Sequence, residues 1–188
     1  MAAALIIIDM QAGMSRPEAG ERNNPQAETQ LAALLQGWRK AQAPVVHVRH
    51  LSATPGSGFF PGQPLADFQP AFTPLPDELV ISKRTPDAFV GTSLQAWLAL
   101  EEIDQLVITG VSTSNSVEAT ARSAGNLGFS AHVVHDATFT FAKPDFDGIA
   151  RSAQQVHAMS LANLNGEYAT IISAQQALAL LAKPLSEK

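Results

Sequence analysis

A chain of 188 residues, 46% hydrophobic and 15% charged, has ample apolar material for a buried core, which excludes a disordered polypeptide. Its formal net charge of −5, with no Lys/Arg run longer than two, excludes the basic stripe that a nucleic acid or anionic membrane surface requires. It contains no cysteine, so disulfides, zinc–thiolate sites and a thiol nucleophile are excluded too.

The apolar run 2–8 stops at Asp9, too short to cross a bilayer and without the basic flank of a signal peptide. The expectation is a cytoplasmic protein forming one domain over residues 1–188, with no membrane and no nucleic-acid partner. Residues 4–8 read as a strand. A helix over 27–41 follows, with Leu31, Leu34, Leu35 and Trp38 on one stripe, then a strand over 45–50. Residues 51–77 hold six of the twelve prolines, three glycines and Phe59, Phe60, Phe68 and Phe72. A segment of that length without regular structure is usually functional, and its aromatics predict a lid or pocket wall.

Strands are then predicted at 79–82, 105–109, 131–135 and 169–172, and helices at 94–100, about 115–127, about 148–164 and 173–181. Thr92 with Gln95, and Ser173 with Gln176, have capping-box spacing, while Gly128, Gly166 and Pro184 mark helix ends. Near-continuous apolar strands indicate burial on both faces. The alternation predicts the α/β class: a three-layer α/β/α domain around a doubly wound, six-stranded, mostly parallel, Rossmann-like sheet.

Open α/β sheets bind ligands beyond the carboxyl ends of their strands. Those ends carry Asp9, His50, Lys83-Arg84, the turn Gly110-Val111-Ser112-Thr113-Ser114-Asn115-Ser116, and His135-Asp136. A carboxylate, an amine and a hydroxyl at a helix start thus converge, and free N–H groups there suit an oxyanion. Singly, each has a plainer reading: Asp9 as a turn residue, Lys83 as a solvated strand end, Ser116 as one of several helix-start serines. No metal site is expected, because His47 and His50 face opposite sides of their strand and no carboxylate lies at ligand spacing. The order Ser116, Asp136, His157 matches an α/β-hydrolase triad, but Gly110 to Ser114 lacks the second glycine of the G-x-S-x-G elbow. The glycines of 56–62 do not form a dinucleotide fingerprint.

Three stretches in order resemble the isochorismatase-like (cysteine hydrolase) superfamily. They are Ala4-Leu5-Ile6-Ile7-Ile8-Asp9-Met10-Gln11, then Ile81-Ser82-Lys83 with Ala88-Phe89-Val90-Gly91-Thr92, and Gly110-Val111-Ser112-Thr113 leading to Ser116-Val117-Glu118-Ala119-Thr120-Ala121-Arg122. Arg49-His50, Ser52, Pro61-Gly62 and Gly125-Asn126-Leu127-Gly128-Phe129 fit the same pattern, so the likeness covers nearly the whole chain.

The resemblance implies an Asp-Lys-Cys triad that hydrolyses amides through a thioester. Asp9 falls on the general base and Lys83 on the lysine that stabilises the charged nucleophile. The oxyanion hole falls on Ser112 and Ser116, with a cis Val111–Ser112 bond. The implied pocket is lined by Gln11, His50, Phe59, Phe60, Phe89 and Thr113. A small-molecule substrate, no cofactor, and a homo-oligomer (dimer or tetramer) are expected. The departure is Ser116 at the nucleophilic Cys position. Three readings follow: an engineered Cys replacement in an amidase, a natural Ser form that cleaves a vinyl ether with Asp9 as acid, or a binding module without turnover.

Overall fold

The computed structural model describes residues 3–181. Six parallel strands form one sheet: β1 (Ala4–Ile8), β2 (Val45–His50), β3 (Leu79–Lys83), β4 (Gln105–Val111), β5 (Ser130–Phe139) and, after a small hairpin of β6 (Lys143–Pro144) and β7 (Ala150–Arg151), β8 (Thr170–Ile172). Their order is β3-β2-β1-β4-β5-β8. The helices are α1 (Ala27–Lys40), α2 (Leu94–Leu100), α3 (Glu118–Asn126), α4 (Ala153–Leu164) and α5 (Ala174–Leu181).

Strand alternation divides the core in two. Leu5 and Ile7 of β1 face α1 and α5, packing with Leu31, Leu34, Trp38 and Ala177. Ala4, Ile6 and Ile8 face the other layer, with Leu94 and Leu98 of α2, Ala121 and Ala124 of α3 and Leu164 of α4. All five β1 residues are fully buried, which explains why this strand is a continuous apolar run. This is the expected three-layer, doubly wound architecture, and every pairing in the large sheet is parallel.

The chain winds from β1 through β2 to β3, then returns to place β4 on the other side of β1. The switch point therefore lies beyond the paired ends Ile8 and Gly110. Gly110 has φ +106°, and a Cβ there would lie 2.1 Å from the Ile8 carbonyl oxygen. Only glycine lets β4 close on β1 at this point.

Four expectations need correction. The helix expected from residue 148 begins at Ala153, because Ser152 and Gln155 form a capping box and the residues before it make the hairpin. The helix expected from 115 begins as a π-helical turn, Thr113–Val117, and becomes α-helical at Glu118. The fifth strand runs on to Phe139 through an irregularity that shifts its register against β4. At α2 the cap is Ser93 with no side-chain bond, because the Thr92 hydroxyl accepts from Leu94 N–H and donates to the Ala88 carbonyl. The Ser173–Gln176 box does form. Pro184, the expected stop of the last helix, and Ala2, in the first apolar run, lie outside the described residues.

The segment after β2 is stitched to the exit of β1. Ala12 N–H donates to the Asp67 carbonyl (2.8 Å) and Gln69 N–H to the Met10 carbonyl (2.9 Å). Phe72 is fully buried, and Phe68 sets its edge against His47. It is a fixed wall. No helix among the described residues is long and apolar enough to cross a membrane.

Candidate active site

The switch point holds a buried polar cluster. Asp9 follows β1 in a left-handed conformation (φ 51°), with its N–H bonded to the Val48 carbonyl and its own carbonyl accepting from Gln11 N–H. Aspartate is among the few residues that tolerate this conformation. Lys83, at the end of β3, reaches past β2, and its ammonium donates to Asp9 Oδ2 at 2.7 Å and to Ser116 Oγ at 3.2 Å. The Lys83 side chain is fully buried and that of Asp9 is 1% exposed, so Lys83 is not the solvated strand end that it resembles in isolation. Ser116, in the π-helical turn after β4, is 6% exposed.

A buried charge persists only when paired. Burial pushes the Asp9 carboxyl above its ordinary range, while the charge and hydrogen bond of Lys83 pull it down. The upward effect wins. The second oxygen, Oδ1, is buried and has no hydrogen-bond partner among the described residues. Asp9 thus holds one oxygen fixed by the ammonium and one free to take or give a proton.

The Val111–Ser112 bond is cis. The Ser112 carbonyl accepts from Asn115 N–H (3.1 Å) and Val117 N–H (3.2 Å), while the Ser112 N–H meets no acceptor among the described residues.

The residues expected to line the pocket separate into two groups. His50 stands beside the charged pair. Burial lowers its pKa, the nearby Lys83 charge lowers it further, and Asp9 opposes both. Phe59 sets its ring edge-on to His50 at 6.4 Å between centroids. Gln11 is buried, but its carboxamide is fully engaged, donating to the His50 and Ala66 carbonyls and accepting from His50 N–H. It clamps β1, β2 and the long loop together. Phe60 sits half-buried in a turn of that loop.

Phe89 and Thr113 turn elsewhere. Phe89 stacks on Phe129, just before β5 begins and so at the opposite edge of the sheet. Thr113 is buried with its hydroxyl 2.9 Å from His157 Nδ1 on α4. His157 therefore serves Thr113 and not Ser116, and Asp136 caps α5 through Ala174 N–H, so the weighed Ser116-Asp136-His157 order assembles no triad.

The sequence reading missed the brace behind the turn. Ser160, one helical turn after His157, contacts both the Thr113 carbonyl (2.9 Å) and Glu118 Oε2 (2.5 Å). The signal was the Ser152–Gln155 box, which sets the start of α4 and puts His157 and Ser160 on one face. Among the described residues, no cluster of three or more His, Asp or Glu could hold a metal ion.

Fold and site together define a doubly wound α/β enzyme with its polar cluster at the switch point. The family model for the isochorismatase domain matches residues 3–176. YrdC of Bacillus subtilis, an isochorismatase family protein, is 37% identical over 173 residues, 92% of each chain. An isochorismatase-family crystal structure from Chromobacterium violaceum has a TM-score of 0.94 and 50% identity, covering 96% of this chain and 94% of that one. Streptothricin hydrolase of Streptomyces noursei is 31% identical over 189 residues, spanning 97% of this chain and 66% of that protein. The chain belongs to the isochorismatase family and is a hydrolase.

Proposed function

We propose that the chain hydrolyses a carbon–nitrogen amide bond of a small molecule, with Asp9, Lys83 and Ser116 as its catalytic residues. The observation that carries this reading is the fully buried Lys83 ammonium bridging Asp9 and the Ser116 hydroxyl. The likeness to a streptothricin hydrolase supports the reaction class.

Ser116 Oγ attacks the amide carbonyl carbon and its proton passes to Asp9. The developing oxyanion is met by the Ser112 and Ser116 N–H groups, in support of which the Ser112 N–H has no other acceptor among the described residues. Asp9 then protonates the leaving amine as the C–N bond breaks, leaving an acyl-serine ester. Water attacks the ester, gives a proton to Asp9, and Ser116 recovers its hydrogen as the acid departs. Lys83 stabilises the alkoxide character of Ser116 in both halves. His50 and Phe59 form part of the pocket wall.

A second reading has its own observation. The upward shift of Asp9 favours its neutral acid form, which suits protonation of a vinyl ether, with water as nucleophile and Ser116 as a hydrogen-bonding group. The pH–rate profile separates the two. Amide hydrolysis rises with pH as Asp9 ionises; vinyl-ether cleavage falls.

On the resemblance, Ser116 stands where the family pattern has cysteine, so Ser116→Cys is the decisive substitution. A thiol beside Lys83 is expected to alkylate with iodoacetamide well above the rate of a free thiol at the same pH, and to hydrolyse members of an amide panel faster than the parent. Asp9→Asn in either background is expected to abolish turnover. If the thiol of the Ser116→Cys variant is no more reactive than free cysteine, the amidase reading is ruled out.

A further inference from the structure

Asp9 serves both halves of the proposed hydrolysis, yet it has almost no contact with water. Its Oδ2 accepts from the Lys83 ammonium at 2.7 Å, its Oδ1 is buried without a partner among the described residues, and its side chain is 1% exposed. In the first half the proton comes from Ser116, which shares the same ammonium. Burial is then no obstacle. In the second half Ser116 carries the acyl group and the proton comes from water. A further group has to join the entering water to the buried carboxylate.

His50 has the properties this step demands. It ends β2, which lies between the strands leading to Asp9 and Lys83, and it pairs in register with Lys83. The residue is half-buried, near enough to the pair for both charges to shift its titration, yet still open to water. Burial and the Lys83 charge keep the imidazole neutral at physiological pH, so one ring nitrogen offers a lone pair. Gln11 binds only the backbone of His50, and the His50 side chain forms no hydrogen bond among the described residues. Phe59 positions the ring instead, edge-on at 6.4 Å between centroids and backed by Gly13, where a Cβ would lie 2.6 Å from Phe59 Cζ. Nearby side chains are committed or lack a lone pair. The Thr113 hydroxyl faces His157, Glu118 is held by Ser160 and Arg122, and the Lys83 ammonium can only donate.

We infer that His50 is a further catalytic residue, which takes a proton from the water that opens the acyl-serine and passes it to Asp9. This role rests on the amidase reading. As the water oxygen bonds to the ester carbonyl carbon, its proton moves to the free ring nitrogen of His50, and the imidazolium protonates Asp9 Oδ1. The carbonyl re-forms, the bond from carbon to Ser116 Oγ breaks, and Oγ takes the proton from Asp9. The acid departs, and His50 and Asp9 return to their starting states.

p-Nitrophenyl acetate, which acetylates a reactive serine, is the probe. His50→Gln and His50→Ala keep the backbone clamp from Gln11, so their circular dichroism should match the parent. Stopped-flow of His50→Gln is expected to show a burst of nitrophenolate, followed by turnover at least about 100-fold slower than in the parent. Mass spectrometry after acid quench should find the acetyl group accumulated on Ser116. Imidazole added to acetylated His50→Ala should speed loss of the acetyl group, and should leave acetylated His50→Gln, whose site is filled, unaffected. An acetyl-Ser116 that decays in His50→Gln as fast as in the parent overturns this role and leaves the amidase reading standing. Slow decay that imidazole does not relieve in His50→Ala assigns His50 a structural part, which overturns it too. If Ser116 is acetylated in neither parent nor variant, the amidase reading falls, and the role of His50 with it.

Discussion

Thr113 shows how a residue near Ser116 can support the turn that carries it from behind. It is fully buried, its hydroxyl faces His157, and its carbonyl accepts from Ser160, so α4 grips the turn that presents Ser116. Burial holds the His157 imidazole below its usual pKa, hence neutral at physiological pH. Thr113→Val removes the hydroxyl and leaves a buried ring nitrogen without a partner, at a cost of about 1–3 kcal/mol. Thr113→Ser keeps the hydrogen bond and is expected to recover most of that loss. Urea denaturation of both variants checks the pair. Equal destabilisation would mean that keeping the hydroxyl does not protect the fold, which would exclude the Thr113–His157 hydrogen bond as the source of the Thr113→Val loss.

At the scale of elements, β2 was readable to the residue, because Val45, Val46 and Val48 are β-branched and buried between sharp flanks. Asp9 and Lys83 were readable as strand-end residues, but their burial was not. It depends on β2 lying between them and on the β4 turn closing over both, and no local pattern encodes that coverage. The hairpin escaped for a related reason: two residues per strand, one of them Pro144, leave no alternation to detect. Thr92 has capping-box spacing yet forms no box, since spacing gives no information on which backbone group lies within reach. Gly110 is where an element boundary depends on one hydrogen atom. Gly110→Ala meets both an unfavourable φ and the Ile8 carbonyl, and is expected to destabilise by more than about 2 kcal/mol. Gly91→Ala has a positive φ of 69° but nothing within 4 Å, and should show only the conformational cost, about 1–2 kcal/mol. Thermal unfolding of the two variants separates contact from conformation.

Across the whole molecule, acid stability is expected to depend on a second polar cluster, apart from that of Asp9, Lys83 and Ser116. Glu78, just before β3, receives Arg39 of α1 through two bonds (2.7 and 2.8 Å), Leu75 N–H (2.7 Å) and His47 of β2 (2.9 Å). Burial alone would raise its pKa, but these partners outweigh burial and hold it at about 2, against 4.5 for a free carboxyl. A carboxyl depressed in the fold stabilises it above the unfolded value and loses that contribution as pH falls. The loss therefore begins near 4.5 and is complete only below about 2. His47 acts in the same direction from higher pH: burial lowers its pKa from 6.5, so below that value the unfolded chain binds the extra proton more readily. Asp9 opposes both, since a raised carboxyl favours the folded state in acid. The cluster joins α1, β2 and the entry to β3, so its failure should loosen these elements together. Glu78→Gln keeps the shape and removes the titration. It is expected to lower stability by roughly 2 kcal/mol at neutral pH after allowance for solvent screening. The gap to the parent should narrow steadily from pH 5 toward pH 2 in urea denaturation at stepped pH. A gap that stays constant over that range would exclude Glu78 as the source of acid sensitivity.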